Sequence, residues 1–219
     1  MFRFASTIFL SAFLLFQVQP LIGKFVLPWF GGSPAVWTTC MLLFQMLLLA
    51  GYAYAHFAAT RLSRRAQGLT QLGLLIVSTA LLPILPSESW KPVGDESPTL
   101  RILLLLSATI GGPYFVLSTT GPLLQSWFAA AHPGRSPFRL YALSNVGSLL
   151  ALLSYPLVFE PLLRLGTQAG MWSIGYVVFA MLCGWNAVQH VRSAAPSGSD
   201  KFAAPPVTAD EPSRGSDRR

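Results

Sequence analysis

The sequence predicts an all-α protein, a polytopic bundle of six transmembrane helices, and three observations carry that prediction. The 219 residues are 53% hydrophobic and only 11% charged, less than half the charge of a typical soluble domain, about 25%. The charges fall between apolar blocks of roughly twenty residues, the length that crosses a bilayer core as a helix. Strands of a β-barrel would instead alternate in segments of about ten. Finally, the loops alternate in charge. Arg3, Arg61/Arg64/Arg65, Arg135/Arg139 and Arg192 fall on one side, and the loop 87–99, with Glu88, Asp95 and Glu96 against Lys91, falls on the other. That alternation requires an even number of crossings, and the positive-inside rule places both termini in the cytoplasm.

In order, the helices are expected at about 4–27, 35–60, 69–85, 100–129, 137–163 and 167–191, forming a membrane domain over 1–192. The first starts after a single basic residue, as a signal peptide does. Its apolar run continues past Gln17 and Gln19 with no small-residue cleavage site, so it reads as an uncleaved helix kinked at Pro20. Pro28–Pro34 reads as a turn with Trp29 as an interfacial anchor. In the second helix Gly51 and its neighbouring alanines allow close helix approach. The third stops at Pro83 and Pro86. A straight helix over the fourth block would span about 45 Å against a core of about 30 Å. Its Gly112-Pro113 and Gly121-Pro122 therefore read as kinks or helix breaks, either lining a path or fitting neighbouring helices. Residues 193–219 are rich in Ala, Pro, Ser and charge and are expected to be a disordered cytoplasmic tail.

The net charge of +7 belongs to the membrane part. Eleven basic and four acidic residues precede Ser193, and four of each follow. This is topology signalling; a basic face interleaved with aromatics, which would point to nucleic acid, is not present. Cys40 and Cys183 are expected at depths about 15 Å apart, beyond disulfide reach, and read as small packing residues. The three histidines have no ligand partner nearby in sequence, and no catalytic, cofactor or metal residues are assigned.

Three sets of polar residues stand out. Tyr141, Ser144, Asn145, Ser148 and Tyr155 lie at helical spacing on one face of the fifth helix. They read as interhelical hydrogen-bonding groups or as the lining of a polar path. Gln17, Gln19 and Gln125 could contribute to either. Lys24 and Glu160 each lie about one turn from the outer end of a helix, at equal depth. Each either snorkels to the interface or meets the other, since an unpaired intramembrane charge is costly.

Several blocks resemble the membrane region of bacterial spermidine synthase-like proteins, the fused major-facilitator/spermidine synthase family. They are Gly121-Pro-Leu-Leu-Gln-Ser-Trp-Phe128, His132-Pro-Gly-Arg-Ser-Pro137, Arg139-Leu-Tyr-Ala-Leu-Ser-Asn145 and Gly147-Ser-Leu-Leu-Ala-Leu-Leu-Ser-Tyr-Pro156. Phe16-Gln-Val-Gln-Pro20, Lys24 and Trp37-Thr-Thr-Cys-Met41 also resemble it, and the similarity covers about residues 5–192. The resemblance implies half of a major-facilitator fold in a bacterial inner membrane. It also implies a partner: a second membrane half or a synthase-like domain encoded separately. Family members continue into such parts, whereas this chain runs into a low-complexity tail. No strand, glycine-rich turn and helix in succession supplies a nucleotide site, so the chain is read as a non-enzyme. The function expected is an inner-membrane module that transports or presents a small solute. The alternatives are a structural or anchoring subunit and a truncated gene product.

Overall fold

The computed structural model describes residues 1–92 and 97–193, and the regular structure among them is helical throughout. Asp95, Glu96 and the expected tail from Ala194 onward lie outside the described residues. We number six helices: α1 (Phe2–Phe30), α2 (Pro34–Arg61), α3 (Arg64–Thr79), α4 (Pro98–Ala131), α5 (Phe138–Leu162) and α6 (Leu165–Arg192). All but α3 are long and apolar enough to cross a membrane, and the chain is an all-α, membrane-embedded bundle.

Local chemistry sets the ends. Ser33 and Ser63 cap α2 and α3, their hydroxyls accepting from Val36 N–H at 3.4 Å and Ala66 N–H at 3.2 Å. Pro34 follows at the first position of α2, where its missing donor costs nothing. The turn after α1 starts at Gly31 (φ 88°), three residues later than Pro28 had indicated. Gln168 ties α5 to α6: its amide donates to Phe159 O at 3.1 Å and Leu163 O at 2.8 Å. Two carbonyls near the C-terminal end of α5 are thereby satisfied.

Arg3, Arg64, His132 and His190 border one recess, so both ends of the described bundle, the α2–α3 turn and the α4–α5 turn share one end. At the other end Lys91 lies over Trp29, 5.7 Å from the ring centre. The chain must therefore cross between Arg64 and Lys91. α3 supplies 16 residues of that crossing, about 24 Å, and packs antiparallel on α6. Gly68 abuts Val191 and Ala187, and Tyr176 Oη donates to Ser78 Oγ at 2.7 Å. Beyond Thr79 the chain is irregular, which corrects the expected helix to residue 85. Pro83 has no N–H, and the residue before a proline avoids the helical region. Ile84 in this stretch is fully buried in the core that holds Ile102, Ile110 and Tyr114, and irregular backbone at membrane depth is stable only when covered by protein.

Where kinks or breaks are expected, the breaks are corrected: the helices stay continuous. α1 runs through Pro20 and Pro28 without interruption, and Gly121-Pro122 lie inside continuous helix. In place of a break, α4 widens into one π-turn, Ser107–Gly111, two residues before Pro113. α5 does the same at Tyr155–Phe159, two residues before Pro161, with Glu160 N–H donating to Tyr155 O. A proline removes one i to i−4 bond and pushes on the carbonyl four residues back; a one-residue bulge relieves that clash while the helix continues. Gly112 serves a close approach, since a Cβ there would lie 2.7 Å from Leu81 Cδ1.

α1 is the centre of the bundle, packed against α4, α5 and α6; α2 lies on α4, and α3 on α4 and α6. Polar ties join the helices at the core: Trp172 Nε1 to Leu14 O (3.0 Å), Asn186 Nδ2 to Thr7 Oγ1 (3.0 Å) and Trp127 Nε1 to Gln67 Oε1 (2.8 Å). Lipid offers no partners for such groups, so each bond favours the assembled bundle. Cys40 and Cys183 are free and buried.

Candidate functional site

The site lies in the half of the bundle away from the termini, where α1, α2, α4 and the π-turn of α5 converge. On α1, Gln19, Gly23 and Lys24 face this region. Gly23 is needed there because a Cβ would lie 2.7 Å from Trp37 Cζ3 of α2, so the indole lies over the helix backbone beside Lys24. The π-turn shifts α5 by one residue and aims Tyr155 and Glu160 at α1; π-turns are frequent at functional sites for this reason.

Lys24 Nζ lies 2.5 Å from Glu160 Oε1, with side chains 40% and 41% exposed. The pair edges a groove of about 460 Å³, bordered by Gln19, Trp37, Met41 and Tyr155 among others. Gln19 Nε2 donates to Tyr114 Oη of α4 at 3.0 Å, and Tyr114 packs on Phe44 with ring centres 5.1 Å apart. The groove thus presents a carboxylate, an ammonium and an amide on an aromatic wall. Small-solute sites have this make-up: mostly apolar, with a few fixed polar groups.

Tyr155 is 3% exposed and separates this groove from a second cavity of about 190 Å³ between α1, α5 and α6, which Gln17, Gln168 and Trp172 also border. Tyr155 Oη and Gln168 Oε1 are buried without a hydrogen-bond partner among the described residues. Buried polar atoms are normally satisfied by protein or by an ordered water, so this wall is polar at two points that the helices themselves do not use.

The sequence-selected residues divide. Lys24, Glu160, Gln19 and Tyr155 meet at the groove, and Gln17 borders the inner cavity. Gln125 is half-buried on α4 and borders neither. The stripe on α5 does not form one packed face. Tyr141 and Asn145 are exposed, Ser144 and Ser148 are half-buried, and the Ser148 hydroxyl donates back to Ser144 O at 3.0 Å within its own helix. The buried face is Leu140, Gly147, Ala151 and Tyr155. Small residues win there because they let α5 approach α1 until a Gly147 Cβ would lie 2.8 Å from Phe9 O, and dispersion contacts drive helix association in lipid.

Sequence reasoning missed Trp37, Tyr114 and Gln168. Gly23 immediately before Lys24 was a signal for a close approach at that level. Nothing in the sequence pairs Gln19 with Tyr114, 95 residues away. Among the described residues no group of three His, Cys, Asp or Glu side chains has metal-binding geometry. Comparison with protein families, with curated proteins and with solved structures finds no match to this chain.

Proposed function

We propose that this chain is the inner-membrane module of a spermidine synthase-like system, and that it binds a small polar solute in the groove at Lys24 and Glu160, to transport or present it. The observation that carries the reading is the ion pair itself. It is held beside a groove in the half of the bundle away from Met1 and Ser193, next to a π-turn of α5. Ionisable groups at membrane depth are costly and cluster at solute pathways. The arginine-bearing turns at the end shared by the termini support a cytoplasmic location for that end, which makes the groove face outward. The blocks around Lys24, Gly121, Arg139 and Gly147 support the family reading.

A second reading, a non-transport anchoring subunit, is favoured by α5. Only 17% of its most apolar stretch is buried, against 56% for α1, and Tyr141, Leu149, Leu153 and Leu157 project outward. Cysteine scanning along 141–160 separates the two. A wet groove gives fast reaction with a hydrophilic thiol reagent at Leu152 and Pro156 and slow reaction at Leu149, Leu153 and Leu157. An anchor that merely packs gives uniformly slow reaction, and that result would remove the solute-binding proposal.

A further inference from the structure

At the end of the bundle opposite the groove, we infer a binding site for a phosphate group, formed by Arg3, Arg64, Gln189 and Ser193 in a recess of about 270 Å³. The recess lies where the ends of α1, α3, α4 and α6 meet, and among the described residues no carboxylate borders it. Among the described residues Arg3 and Arg64 form no ion pair; the two pairs present involve Lys24 and Lys91. Two arginines therefore line one concavity that holds no counter-charge among the described residues.

The floor of the recess is packed, and its two arginines are exposed at the rim. Trp127, 1% exposed, forms the floor; its indole stacks on His190 with ring centres 4.4 Å apart and planes 11° apart, while its Nε1 donates to Gln67. His132 stacks on Phe128 at 4.6 Å and meets the edge of Phe4 at 6.3 Å. His190 Nε2 is buried with no hydrogen-bond partner among the described residues. Arg64 is also the first residue of α3, a 16-residue helix, so the positive end of that helix lies beside the recess. Ser63 Oγ satisfies one of its first-turn donors, Ala66 N–H. Guanidiniums and helix N-terminal amides together match the fork geometry of a tetrahedral oxyanion.

The phosphate has two sources. It is the headgroup of an anionic lipid in the adjacent leaflet, or a free phosphate compound from solution. The test uses the full chain in maltoside micelles, which carry no phosphate, at about 0.15 M salt, where exposed charges are screened beyond ~8 Å. Phosphatidylglycerol and inorganic phosphate are added separately, and binding is read by native mass spectrometry and calorimetry. Binding of the lipid alone assigns the headgroup, and binding of inorganic phosphate assigns the free compound. Arg3→Gln and Arg64→Gln each weaken binding at least about tenfold, as expected for a lost charge-assisted hydrogen bond. Arg139→Gln removes an equal charge outside the recess and leaves binding within about threefold. Arg3 is exposed at the start of α1, so its variant reports binding in a folded protein. Failure of both ligands to bind, or equal weakening by Arg139→Gln, overturns the site.

Discussion

Removing either charge of the Lys24–Glu160 pair should destabilise the protein, and removing both should cost less than the sum. The magnitude follows from exposure. A fully solvated ion pair contributes about 0.2–1 kcal/mol, and breaking a fully buried one costs about 3–5 kcal/mol because a charge is left alone in low dielectric. With side chains 40% and 41% exposed, the pair lies between these limits, nearer the solvated one, and a coupling of about 1–2 kcal/mol is expected. For a chain of this size each kcal/mol moves the midpoint by about 2–4 °C. Lys24→Met and Glu160→Gln should therefore each lower the melting temperature by roughly 2–8 °C, and the double variant should recover a similar amount relative to additivity. The assay is thermal unfolding of all four proteins in one detergent. Strict additivity would mean that the two side chains contribute independently, and the pair would lose its place at the centre of the site.

Gly147→Ala should destabilise by about 1–3 kcal/mol, because the new Cβ meets the Phe9 carbonyl at 2.8 Å and overpacking outweighs the helix-propensity gain of about 1 kcal/mol. Gly73→Ala, with nothing within 4 Å, should be neutral or stabilising in the same thermal assay. Asn145→Leu should leave the stability of the isolated chain within about 0.5 kcal/mol, as for surface substitutions generally, since Asn145 is exposed; loss of folded yield would show that this face is covered in the assembled protein. Lys91 holds the Glu88 carboxyl below its usual range by a hydrogen bond and by charge. Its small contribution is therefore present above the ordinary carboxylate pKa and is lost as pH falls through the lowered value. Lys91→Met should move the Glu88 titration, followed by carboxyl NMR, up toward its normal position.

The crossings were legible because apolar blocks end at residues with local consequences: arginines, Ser33-Pro34, Ser63 and Gly31. The shared level of Lys24 and Glu160 in the bundle was legible for the same reason, since distance from a helix end converts to height through a fixed rise per residue. Facing was not. In a soluble helix the apolar side marks the core, but in lipid both sides of α5 are leucine-rich, and the packed side is marked instead by Gly147 and Ala151. The polar stripe drew attention because hydrogen-bonding groups need partners, yet Ser148 finds its own in the preceding turn. The prolines left a choice open. Pro113 and Pro161 announce a disturbance, but the sequence does not say whether the helix breaks or absorbs it as a π-turn. Of the site, the charges were visible and the walls were not: Trp37, Tyr114 and Gln168 come from three other parts of the chain, and only the packing of α1 joins them.

The proposed groove is solvent-filled and lies on the side of the membrane opposite both ends of the bundle. It is tested most directly by single cysteines at Leu152 and Ser193, in a background where Cys40 and Cys183 are replaced by alanine. Each is exposed to a membrane-impermeant thiol reagent in intact cells and again after permeabilisation. Leu152→Cys should label in intact cells, and Ser193→Cys only once the membrane is opened. Leu152→Cys unreactive under both conditions, or both positions labelled from the same side, would contradict it.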